Sequence, residues 1–85
     1  MKDEKEVEQA QERARMQGPL SGEVYRHYKG GRYVVLHCGV LEATIEPCVM
    51  YRSLEKGYVW VRTLEDWSAS LIVDGKKVCR FFQEE

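Results

Sequence analysis

Seven side chains in this sequence have the types and spacing to hold an anion beside a flat ring. Arg26, His27, Tyr28 and Lys29 form one run, Arg52 follows, and Trp60 and Arg62 close the set. A guanidinium binds phosphate or carboxylate through two parallel N–H bonds, and a neighbouring aromatic ring offers a face on which a planar group stacks. No acidic residue lies between Val24 and Leu41, whereas Arg26, Lys29 and Arg32 are basic there. Trp60 and Arg62 stand two positions apart in an extended run, which places them side by side on one strand face. A curved sheet would gather Tyr28, Arg52, Trp60 and Arg62 into one patch suited to a small anionic, nucleotide-like ligand.

A plainer reading stands beside this one. Tyr and Trp occur in strands because they fit a pleated surface, and arginine beside an aromatic residue is an ordinary cross-strand pair. Glu42, Glu46, Glu65 and Asp66 can pair with the arginines. His27 also reads as a packed hairpin histidine. Lys29-Gly30-Gly31 also reads as a turn, and lacks the long glycine loop and Lys-Ser/Thr ending of a phosphate-binding loop. Catalysis finds little footing. Adjacent His37 and Cys38 point to opposite sides of a strand, and no Ser-His-Asp set is apparent. Cys38, Cys48 and Cys79 are widely spaced without a CxxC pair, so they read as buried free thiols rather than as disulfides or a zinc site. No metal site or cofactor is expected.

Thirteen basic against fourteen acidic side chains leave a net charge of −1 over 85 residues. That balance lacks the basic excess of a dedicated nucleic-acid binder, so any anion site must be local. With 44% hydrophobic and 32% charged residues the composition is globular. No apolar run approaches the roughly 18 residues of a membrane span, and the polar N-terminus is no signal peptide, so a cytoplasmic location is expected.

The elements that must position these residues follow from periodicity. Residues 3–17 read as a helix, with acids early and arginines late along the dipole and a thin apolar stripe of Val7, Ala10 and Ala14. A stripe this thin favours a solvated, partly frayed arm over a docking one. The expected division is a polar helical arm over 1–18 and a small β domain over 19–85. In residues 32–40, strict alternation sets Val34, Leu36, Cys38 and Val40 against Tyr33, Val35 and His37. Residues 47–54 and 58–62 alternate likewise. Asp74-Gly75 marks a tight hairpin. Thr63 is expected to cap one helical turn, with Asp66 returning the bond and Leu64 and Trp67 facing the core. Five or six short strands form a mainly β fold, either a small curled antiparallel sheet or an SH3-like or OB-like barrel, with an N-terminal helix.

Residues 25–30 (YRHYKG), 50–54 (MYRSL), 60–65 (WVRTLE) and the pair Arg80-Phe81 together resemble the domain-of-unknown-function 1653 family. Its members are small proteins or domains of bacteria and their phages. The resemblance spans about residues 22–82, departing at Thr63, where proline is usual. It implies a small β-rich domain and no settled activity. The first functional reading is therefore a non-catalytic binder of a small anionic, nucleotide-like ligand. The phage setting adds the expectation of a sequestering, anti-defence protein. The second is a protein-interaction module using a sheet edge or groove. Single-stranded nucleic-acid binding ranks behind both. A homodimer would bury further area in so small a domain.

Overall fold

The computed structural model describes residues 3–84. The chain begins with helix α1 (Glu4–Gln17), capped by Asp3, whose carboxylate accepts from the Lys5 amide at 2.9 Å. Strands β1 (Val24–His27), β2 (Arg32–Leu41), β3 (Glu46–Ser53) and β4 (Val59–Thr63) follow. A single helical turn, α2 (Leu64–Trp67), leads into strands β5 (Ser70–Val73), β6 (Lys76–Cys79) and β7 (Phe81–Gln83). Five strands make one antiparallel sheet in the order β4-β3-β2-β1-β7, and β5-β6 form a separate hairpin. The fold is thus mainly β with an N-terminal helix. The sheet does not close into a barrel, and among the described residues seven strands appear where five or six are expected. Closure fails because β4 and β7 remain the two edges, and the chain between them is spent on α2 and the hairpin.

One face of the sheet carries the core. Val35 (1% exposed) and Val49 (0%) lie at its centre, joined by Tyr51, Leu64, Trp67 and Phe81. Trp67 and Phe81 stack with centroids 3.9 Å apart and planes within 13°. Tyr25 meets Trp67 edge-on at 5.2 Å, and Tyr51 lies 5.1 Å from the same ring. This one aromatic cluster seats both α2 and the three-residue β7 on the sheet.

Two local devices behave as their residue types dictate. Asp74 and Gly75 adopt φ of 51° and 76°, the left-handed pair that joins β5 to β6. Thr63 Oγ1 accepts from the Asp66 amide at 3.1 Å, which starts α2. The returning half of the box does not form, because the Asp66 side chain turns to two arginines instead.

Strict alternation fails in β2. The pairing with β3 slips between Val35 and His37, so Tyr33 and Val35 face the core and, beyond the bulge, Cys38 opposite Val49 does too. The bulge carries the inner face past Leu36 and brings Cys38 under α1. The helix is not a free arm over its described residues. Ala10 and Ala14 are buried, and the small Gly18 brings the helix end so close to β2 that a Cβ there would stand 2.8 Å from Cys38 Sγ and 2.5 Å from the Ala14 carbonyl. Two alanines suffice because a thin stripe permits close approach. The three cysteines are free, but none is fully buried: Cys38 and Cys48 are half-buried and Cys79 is exposed. Among the described residues no helix is long and apolar enough to cross a membrane.

The aromatic cluster generates a stability prediction. Trp67→Ala removes the largest ring and leaves a cavity that four short elements cannot close. A loss of about 3–5 kcal/mol is expected in a urea titration. A loss below about 1 kcal/mol would show that Trp67 does not seat α2 and β7.

Candidate functional site

Strand β4 lies against β3 with Trp60 opposite Tyr51 and Arg62 opposite Val49. Trp60 and Arg62 therefore project on the inner face, at its uncovered end. There they border a cleft of about 440 Å³ whose walls are Tyr33, Tyr51, Trp60 and Phe81, with His27, Arg62 and Asp66 at its polar side. Tyr33, Tyr51 and Phe81 meet one another edge-to-face at 5.4–5.9 Å, so the walls are continuous with the core.

Arg62 is held from three sides. Its Nε donates to the Tyr51 hydroxyl at 2.8 Å and its Nη1 to Asp66 Oδ2 at 2.6 Å. Its guanidinium carbon stands 5.7 Å from the centre of the Phe81 ring. Burial works against its charge, but the bonds to Asp66 and Tyr51 outweigh burial and raise its pKa above the usual arginine value. Burial raises the Tyr51 pKa, partly offset by Arg62, and the net rise keeps the hydroxyl protonated. Arg80 donates from Nε to the Asp66 carbonyl at 3.0 Å and places Nη2 3.4 Å from Oδ1. Two guanidinium groups thus share one carboxylate, and this corner keeps a net positive charge in a chain of net charge −1.

His27 packs edge-on to Phe81 at 5.0 Å, and its Nδ1 accepts from the Lys29 amide at 3.2 Å. It is both a packed hairpin histidine and a wall of the cleft. Burial first, then Arg62, Arg80 and Lys29, push its pKa below the ordinary 6.5. The cleft at neutral pH therefore presents a neutral imidazole beside fixed cations.

The other expected site residues are dispersed. Arg52 pairs with Val34 and Val59, so it lies on the outer face, across the sheet from Trp60 and Arg62. A one-residue offset in a strand reverses a side chain, which separates Arg52 from Tyr51. Arg26 and Arg32 hold the Glu84 carboxylate: Arg26 Nε at 2.9 Å, and Arg32 through Nε at 2.8 Å and Nη2 at 2.6 Å. Arg32 and, after it, Arg26 depress the Glu84 pKa. Tyr28 lies beside His27, 4.6 Å between ring centres, and carries Lys29 Nζ 5.7 Å over its own ring. It does not line the cleft. Arg62, Trp60 and His27 are therefore the three expected residues that converge there, joined by Tyr33, Tyr51, Phe81 and Asp66. Among the described residues no group of three or more His, Cys, Asp or Glu side chains gathers as metal ligands.

A second hollow of about 590 Å³ adjoins the first. Tyr33 and Trp60 border both, and Gly30, Gly31, Lys56 and Tyr58 lie along the second.

A family model described as a protein of unknown function, DUF1653, matches residues 23–83. The chain is also similar to the crystal structure of a DUF1653 protein from Bordetella bronchiseptica, with a TM-score of 0.64 and 29% identity over 73% of this chain and 83% of that one. No curated protein matches the chain.

The His27 environment predicts a titration. With its folded pKa below 6.5, the unfolded chain takes up the proton first as pH falls. The stability from a neutral His27 is present above 6.5 and is lost as pH falls through the folded pKa. An NMR titration should give a His27 midpoint below 6.5. A midpoint at or above that value would remove the adjoining cations from the account.

Proposed function

Since the chain belongs to the DUF1653 family of proteins of unknown function, kinship supplies no activity, and we propose from the cleft itself that it binds a small anionic, planar, nucleotide-like ligand without converting it. One observation carries this reading: the 440 Å³ cleft walled by four aromatic rings with the Arg62 guanidinium at its side. The ring faces suit a flat group and the net positive corner suits its anion. Asp66 supports the reading by holding Arg62 in place before a ligand arrives, so little freedom is lost on binding. Holding a ligand without altering it is the chemistry of a sequestering protein. The anti-defence role expected from phage relatives is the biological form this reading takes.

A second reading, a protein-interaction module, draws on the outer side of the β4 edge. Val59 and Val61 are half exposed there, with Met50 beside Val61 on the neighbouring strand. A stoichiometric protein partner, captured without any small molecule and lost on Val61→Lys, would favour it.

The two arginines that looked alike in sequence provide the test. Arg62→Ala should weaken ligand affinity by about tenfold or more, since losing a charge-assisted hydrogen bond costs roughly 1.5–3 kcal/mol. Arg52→Ala should leave affinity unchanged because it lies on the opposite face. Isothermal titration of both variants with nucleoside 5′-monophosphates checks this, with circular dichroism confirming the fold. Equal effects from both substitutions would overturn the placement of the site.

A further inference from the structure

The second hollow raises the question of how large the ligand is. Tyr58 (59% exposed) and Trp60 (52%) are large rings that the core does not use. Tyr58, just before β4, and Trp60 within it are two positions apart, about 6.6 Å along an extended chain, and their ring centres stand 6.1 Å apart. Their planes meet at 79°. Two flat groups, each lying on one of these rings, cannot lie in one plane or stack on each other. A single rigid polycycle therefore cannot use both platforms, whereas two planar groups joined by a flexible connector can.

The charges point the same way. Arg62 stands at the first cleft, and Lys56 lines the second hollow, exposed and in no ion pair among the described residues. Arg26, Arg32 and Glu55 also border the second hollow; Glu84 engages both arginines and Glu55 Oε1 accepts from the Arg32 amide at 3.0 Å, so with Lys56 the hollow keeps a cationic excess. Tyr33 and Trp60 border both hollows, so the two meet along these shared rings.

Resting on the binding function proposed above, we infer that the two hollows form one bipartite site that takes a dinucleotide, with one base on Trp60 in the Arg62 cleft and the other on Tyr58 beside Lys56. The connector is an anionic phosphodiester that turns the corner between the two rings.

The test titrates the full chain with the four nucleoside 5′-monophosphates and with 5′-phosphorylated dinucleotides built from them. Isothermal titration is read together with quenching of Trp60, which is half exposed while Trp67, the one other tryptophan, is buried. The dinucleotide should bind at least about tenfold more tightly than its better mononucleotide, from one added stacking contact and one added charge contact. Tyr58→Ala or Lys56→Ala should remove that excess and leave mononucleotide affinity intact. Arg62→Ala should weaken both. Mononucleotide binding with no dinucleotide excess, or an excess that survives both Tyr58→Ala and Lys56→Ala, would overturn the bipartite site and leave the proposed function standing. Binding of neither probe would overturn both. Affinity that keeps rising with each nucleotide from two to ten, and falls steeply with salt, would replace the bipartite site with a single-stranded nucleic-acid track.

Discussion

Neither α2, at four residues, nor β7, at three, is long enough to persist alone. Both exist because Trp67 and Phe81 stack face to face at 3.9 Å and the pair is clasped by Tyr25 and Tyr51 from the sheet. That stack also sets the site. With Trp67 seated, Asp66 faces Arg62; with Phe81 seated, the preceding Arg80 reaches the same carboxylate. The positive corner of the cleft is thus a by-product of how the core is pinned.

The same rings serve two purposes. Tyr51 and Phe81 are buried core residues and also form cleft walls, while Tyr33 packs against that core and borders both hollows. A small domain has too little interior to keep core and site apart. A ligand lodged against these rings touches the groups that decide whether the chain folds, so binding and stability are coupled. The buried rings of the cleft belong to the core, whereas at its edge Tyr58, Trp60 and Lys56 stand exposed to solvent.

Much of the fold was legible because it rests on local chemistry. Asp74-Gly75 turns where those two residue types turn, Thr63 caps α2, and the β4 alternation put Trp60 and Arg62 together correctly. What stayed hidden depends on pairings distant in the chain. Arg52 looked like the equal of Arg62 until the β3 register put it on the other face. Asp66 looked like a capping residue, but its partners are Arg62 and Arg80. Arg26 and Arg32 pair with Glu84, 58 and 52 positions away, which no local pattern marks. Nothing local marks Tyr33 or Tyr51 as a packed ring that is also a cleft wall. The apolar stripe of α1 was visible, but its docking required Gly18 and Cys38 to meet, and alternation alone hid Cys38's position by missing the bulge.

That bulge has a meaning for how this chain tolerates changes in length. Because β2 changes phase at Leu36, its two halves are separate registers joined at one residue, the first facing the aromatic cluster and the second facing α1. Removing Leu36 would leave Val35 opposite Tyr51, His37 opposite Met50 and Cys38 opposite Val49 in regular alternation, so Cys38 would stay on the inner face under the helix. A one-residue deletion, which in a regular strand turns every later side chain to the other face, would here be absorbed at the bulge, and the cleft and the N-terminal helix would both keep their seats.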